Sequence, residues 1–193
     1  MIQKGLGFIE SGLNESDIFY SAQNIGIPDK YELKGQLPVY DQGSKGSCVS
    51  CAVAEMFHFY CKWNLKKSDI GFEYVYNRRS NKKIDGMTPR EALEILKSEC
   101  RIETFARVTS IDSLKKSVLV NGAVLIGMKM YSYNRDFWNG EKLIGGHAVA
   151  VVGYDDEGFI IKNSWGREFG TGGYAILPYN QFDKVREAWT ILS

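Results

Sequence analysis

The sequence predicts an α+β chain of two lobes, with helices in its first half and short strands in its second. Three observations carry that expectation. Apolar residues recur at three- and four-residue steps after Cys48, Thr88-Pro89-Arg90-Glu91 reads as a helix start, and beyond residue 120 short β-rich runs alternate with Gly, Asn and Asp turns.

Taken in order, residues 1–26 are expected to form an N-terminal extension, since Leu6, Phe8, Ile9, Ile18, Phe19 and Tyr20 lie scattered without a long periodic run. Residues 43–47 make a flexible approach to a helix over 48–63, whose periodic positions are Val49, Ala52, Val53, Met56, Phe57, Tyr60 and Trp63. A second short helix is expected over 68–77. A third follows Thr88 as N-cap, with Pro89 at its first position and Glu91 in its first turn, and should run to about residue 98. Strands are expected over 123–130, 147–154, 158–162 and 173–177. The domain bounds are therefore 1–26 and 27–193, with a helical lobe over about 45–105 and a strand lobe over about 106–193.

Charge and composition narrow the function. The 193 residues carry a formal net charge of +1, which gives no reason to expect nucleic acid or an acidic membrane as partner. The basic run Arg78-Arg79 to Lys82-Lys83 reads as a solvated loop. The longest apolar stretch, residues 148–154, suits a buried strand and is too short to cross a bilayer. Residues 1–8 lack the apolar region of a secretory signal, so a cytoplasmic start is expected.

Cys48, Cys51, Cys61 and Cys100 show neither a disulfide framework nor paired CxxC metal spacing, so no metal is expected. Cys51, Cys61 and Cys100 read as reduced, mostly buried thiols. A Cys48–Cys51 bridge, which would inactivate an enzyme using Cys48, is the lesser reading.

Cys48 sits where loop becomes helix, and the unpaired N–H groups there favour thiolate over thiol. Only two histidines are available as its base. His58 lies ten residues along the same helix, about 15 Å away on its axis, so it reads as a satisfied structural residue and leaves His147. Asn163 can accept from one ring nitrogen and fix the tautomer, with Trp165 covering that contact. A hairpin turning at Asp155-Asp156-Glu157 would bring His147 and Asn163 together. The Gln42 side chain and the Cys48 N–H are the natural oxyanion donors.

Gln42-Gly43-Ser44-Lys45-Gly46-Ser47-Cys48, Gly146-His147-Ala148 and Asn163-Ser164-Trp165-Gly166 together resemble the papain family of cysteine peptidases from about residue 27 onward, in the manner of its compact bacterial members. That resemblance implies a helical lobe and an antiparallel β-barrel-like lobe with the active-site cleft between them. It makes Cys48 the nucleophile, His147 the acid/base, Asn163 the orienter and Gln42 the oxyanion donor. Asp85-Gly86 resembles the family's substrate-pairing glycine loop, and Gly146 stands where backbone meets the residue before the scissile bond. Trp165 joins these as a substrate-side residue. No cofactor is implied, the partner is a peptide in extended conformation, and a monomer is the default.

The departures are Lys45 and Val49, where the family signature has a cysteine and an aromatic, and a Cys48-to-His147 separation shorter than the usual span of about 130–150 residues. The expected reaction is hydrolysis through a Cys48 thioester. Dedicated acyl transfer (transpeptidation, deamidation or leader-peptide processing) and an idle peptide-binding module are the alternatives. Residues 1–26 are expected either to lie in the cleft and restrain activity or to brace the second lobe. The aromatic run Tyr131, Tyr133, Phe137 and Trp138 reads equally as a leaving-side subsite or as a packed loop.

Overall fold

The computed structural model describes residues 4–21, 24–66 and 69–192. In chain order these form β1 (Tyr31–Glu32), α1 (Cys48–Trp63), α2 (Phe72–Tyr76), α3 (Pro89–Ser98), β2 (Thr104–Arg107), α4 (Ile111–Val120), β3 (Val124–Met130), β4 (Gly145–Tyr154), β5 (Gly158–Lys162), β6 (Tyr174–Pro178), a 3-10 turn (Tyr179–Lys184) and β7 (Val185–Leu192). The strands make one antiparallel sheet in the order β2-β7-β3-β4-β5-β6, with β1 paired to β4. The path does not close into a barrel.

Helix α1 is the spine of the first lobe. It is buried on nearly every face from Cys48 to Cys61, as expected of a helix enclosed by a core rather than laid on a surface. It packs against α2 and α3 on one side and against β3 and β4 on the other, so its first residue, Cys48, meets the second lobe directly. Helix α3 begins as its sequence dictates: Thr88 Oγ1 accepts from Glu91 N at 3.1 Å. The hairpin that presents the site turns at Asp155, whose carboxylate accepts from Glu157 N at 2.9 Å and Gly158 N at 3.1 Å. β4 and β5 pair through Ala150 with Lys162, which carries His147 and Asn163 to the same end of the hairpin.

Some elements differ from the sequence expectation. The second helix is shorter, Phe72–Tyr76, and the expected start at Ser68 lies outside the described residues. β2, α4 and β7 were not expected. α4 is a helix within the strand lobe, capped by Ser110 accepting from Ser113 N at 3.1 Å. Cys100 is exposed rather than buried, because the chain turns through a left-handed φ of 56° there just past α3.

Candidate active site

Three chain segments meet at the first turn of α1. The first, residues 40–42, is stitched to residues 164–166: Gln42 N donates to Ser164 O at 2.9 Å, and Gly166 N donates to Tyr40 O at 2.9 Å. The second is the N-terminus of α1 with Cys48. The third is the start of β4, carrying His147, with Asn163 just past the end of β5.

His147 Nε2 and Asn163 Oδ1 lie 2.7 Å apart, fully enclosed. Asn163 Oδ1 also accepts from Ser164 N at 2.7 Å, which identifies that atom as the amide oxygen. Nε2 therefore carries the hydrogen, and Nδ1, which has no hydrogen-bond partner, holds a free lone pair. Trp165 stacks on the imidazole at 4.4 Å, and Phe137 meets it edge-on at 5.2 Å. The aromatic loop thus packs around the histidine: Phe137 and Trp138 are buried, and Tyr133 leans on Trp165. Cys48 lies against the backbone of Ala148, the residue after His147.

Gln42 is held at both ends. Its Oε1 accepts from Ser164 Oγ at 2.6 Å, and its Nε2 donates to Lys45 O at 2.7 Å and to Gly5 O at 3.0 Å. The last partner belongs to the N-terminal extension, which runs through the cleft. Gly5 N donates to Gly43 O at 2.9 Å, Met87 N donates to Gly7 O at 2.9 Å, Phe8 N donates to Gly146 O at 3.3 Å and Ile9 N donates to Met87 O at 3.2 Å. A side chain on Gly7 would overlap the Gly46 carbonyl, so glycine is what lets this backbone lie on the loop before Cys48. The Phe8 ring fills a hole that exists because residue 127 is also glycine; a Cβ there would stand only 2.1 Å from the ring's Cε2.

Of the expected substrate residues, Gly146 meets the bound segment through its carbonyl, and Gly86 packs against Gly7. The ladder bonds on that side come from Met87, one residue beyond the expected pair. The Asp85 carboxylate turns away from the cleft, accepting from Gly46 N at 3.0 Å and from the Tyr76 hydroxyl, so it shapes the loop before the nucleophile. Trp165 is covered by its neighbours and stacks on the imidazole.

Beyond the cleft, the extension is anchored by charge. Arg90 Nη2 and Arg107 Nε meet Asp17 Oδ2 at 2.7 and 2.6 Å, and Arg107 Nη1 lies 3.3 Å from Glu187 Oε2. Burial works to raise the Asp17 pKa, but the two guanidiniums outweigh it and hold the carboxyl below its ordinary range. Tyr20 N donates to Arg107 O, and Arg107 N to Ile18 O, both at 2.7 Å. Residues 5–9 thus run along the loop before Cys48 and the start of β4, and residues 11–20 pack against α3 and β2. Nothing in the sequence singled out this charge cluster.

Covering the site reverses the expected electrostatics. Burial pushes the Cys48 thiol up to about 11 and the His147 imidazole down to about 4, the latter only partly opposed by the Asn163 bond. The helix N-terminus favours thiolate, but excluding water from both groups works against it and favours the neutral thiol and the neutral imidazole.

A second buried pair supports the hairpin from behind. Lys162 Nζ meets Glu55 Oε2 of α1 at 2.7 Å and also donates to Leu37 O. Lys162 directly precedes Asn163, so this pair ties the orienter's strand to the helix that carries Cys48. Of the remaining histidine, His58, the ring meets Asp69 at 2.9 Å and Gly35 O at 2.8 Å, far along α1 from the site.

The model of papain family cysteine proteases matches residues 51–188 of this chain. The chain belongs to the papain family. Among solved structures, xylellain, a cysteine protease from Xylella fastidiosa, superposes with a TM-score of 0.85 at 24% identity, covering 98% of this chain and 96% of that one. Digestive procathepsin L 3 of Tenebrio molitor superposes with a TM-score of 0.73 at 18% identity, covering 100% of this chain and 77% of that one. Both establish the fold. Of curated proteins, a cathepsin L-like proteinase of Phaedon cochleariae is 32% identical over 129 residues, which are 61% of this chain and 37% of that protein. An uncharacterized peptidase C1-like protein of Acanthamoeba polyphaga mimivirus is 54% identical over 41 residues, 20% of this chain and 13% of that protein. The chain therefore spans little more than a third, at most, of the length of these curated relatives. Among the described residues no helix is long and apolar enough to cross a membrane.

Proposed function

We propose that this papain-family chain hydrolyses peptide bonds through a thioester on Cys48, and that residues 5–9 hold it inactive until they leave the cleft. The observation that carries the reading is the His147–Asn163 bond at 2.7 Å, which leaves the unpartnered Nδ1 as proton acceptor beside the first turn of α1. In the open cleft His147 takes the thiol proton, and the thiolate attacks the scissile carbonyl. The oxyanion would be held by Gln42 Nε2, which Gly5 O engages in the covered state, together with the Cys48 N–H. His147 then protonates the departing amine, and water, deprotonated by the same imidazole, releases the acyl group.

The covering segment is not itself poised for cleavage. Its chain passes first Gln42, then Gly46, then the Gly127 hole and Met87, and it bridges Met87 in parallel. A substrate must present its acyl side, which is N-terminal, over Gly146 and Met87 and its carbonyl to Gln42. Its chain direction is the opposite one. The hole filled by Phe8 supports a preference for a bulky apolar side chain on that acyl side. Peptides differing only there, incubated with the chain after removal of the segment, test the reading. Mass analysis separates hydrolysis, which adds water across the bond, from transpeptidation or deamidation. Turnover that persists in a Cys48→Ala chain would end it.

A further inference from the structure

Peptide hydrolysis uses one of two cysteines that share the first turn of α1. Cys48 opens the helix, and Cys51 N donates to Ser47 O at 3.0 Å, closing the first turn. At helical spacing their Cα atoms stand about 5 Å apart, inside the range of about 4.4–6.8 Å that a disulfide spans. Their side chains also share a wall. Cys48 lies against the Ala148 backbone and Cys51 against Ser164, residues that follow His147 and Asn163 respectively.

Both thiols are free and buried. The other two cysteines are elsewhere, Cys61 near the far end of α1 and Cys100 exposed past α3. The peptidase reading assigns Cys51 nothing. A small apolar residue would fill its place as well, so a sulfur in resolving position calls for a separate account.

We infer that Cys48 and Cys51 form a reversible redox pair that inactivates the enzyme under peroxide and shields the nucleophile from irreversible oxidation. The inference rests on the peptidase reading only in taking Cys48 as the thiol that opens to solvent. In the first step the Cys48 thiolate attacks hydrogen peroxide, the O–O bond breaks, hydroxide leaves, and Cys48 becomes a sulfenic acid. In the second the Cys51 sulfur attacks the Cys48 sulfur, the S–O bond breaks, and the hydroxyl leaves as water with the Cys51 proton. Two thiols and one peroxide give one disulfide and two waters. A thiol reductant reverses it, as at other Cys-x-x-Cys pairs on helix N-termini. The covered chain reacts slowly, because burial keeps Cys48 protonated and out of water.

The test treats full-length Phe8→Ala, which lacks the ring that seats residues 5–9 over the cleft, with excess hydrogen peroxide, alongside full-length Phe8→Ala with Cys51→Ala, until the exposed Cys100 is consumed in each. Free thiols are then alkylated in denaturant, and the peptide bearing Cys48 is sequenced by mass. The expected result is a Cys48–Cys51 disulfide, lighter by two hydrogens and recovered with dithiothreitol. With Cys51→Ala added, Cys48 instead gains two oxygens and is not recovered. Sulfinic acid at Cys48 with Cys51 still free in Phe8→Ala would overturn the inference. So would survival of both thiols after Cys100 has reacted. The readout is covalent state, so it decides this question even if the chain proves inactive on peptides. Turnover by unoxidised Phe8→Ala with Cys51→Ala at the rate of Phe8→Ala separately shows that Cys51 has no part in hydrolysis.

Discussion

Replacing Phe8 with alanine should open the cleft without unfolding the protein. The Phe8 ring is buried against Gly127 and Gly146, whereas Leu6, which lies over Gly145, is only partly buried. Removing it forfeits about 2–3 kcal/mol of burial, at the low end of phenylalanine-to-alanine costs because water can enter the vacated cleft. The loss falls on segment opening alone. Asp17 stays clamped between Arg90 and Arg107, so residues 11–20 remain in place while residues 4–9 swing out. At a factor of ten per 1.4 kcal/mol, the open fraction should rise about 30- to 150-fold.

The rate of Cys48 alkylation by iodoacetamide reads that fraction directly, provided the segment recloses faster than it is labelled. The expected result is acceleration in that range, with peptide mapping placing the label on Cys48 and a urea midpoint little changed. A labelling rate within threefold of the unsubstituted chain would refute the reasoning, since the ring would then contribute little to closure.

Three further outcomes follow from the same geometry. In a Phe8→Ala background, Gly127→Val should fill the hole that the ring vacates and lower turnover of peptides with an aromatic side chain there by about 10- to 100-fold, with smaller side chains less affected, as kcat/KM on a paired peptide set would show. Lys162→Met should destabilise the fold by about 3–5 kcal/mol in urea denaturation, because it leaves the Glu55 carboxylate buried beside α1 without its cation; adding Glu55→Leu should recover much of the loss. Stability should also fall with acid through His147. Its folded pKa, about 4, lies below the ordinary 6.5, so below 6.5 the unfolded chain binds a proton the folded chain does not. That contribution is whole above pH 6.5 and drains as the pH falls to about 4, by about 3 kcal/mol, which urea midpoints at pH 7 and pH 4.5 compared with a His147→Gln chain would measure.

The residues of the site were more legible than the setting that controls them. Helix α1 announced itself by apolar spacing, α3 by its cap and proline, and the β4–β5 hairpin by its acidic turn; local chemistry dictates each of these. β7 was hidden because Val185-Arg186-Glu187 opens it with charge, and Glu187 is buried by partners distant in sequence, Arg107 and Ser11 N, as well as by Trp189. α4 follows a cap, Ser110, that is a weak signal without a neighbouring proline or glutamate. The path of residues 5–9 depends on two glycines and one aromatic matching a hole made by Gly127, more than a hundred residues away, and no local pattern encodes such a match. The thiolate expected from the helix N-terminus fails in the covered chain for the same reason, since burial by a distant segment outweighs a local dipole.

The account's central claim is that Cys48 performs the chemistry and that residues 5–9 withhold it. Turnover of an aromatic-containing peptide by full-length Phe8→Ala, beside full-length Phe8→Ala with Cys48→Ala, tests both halves in one assay. The account predicts cleavage by the first chain well above the unsubstituted protein, and none by the second. Equal cleavage by both would contradict it.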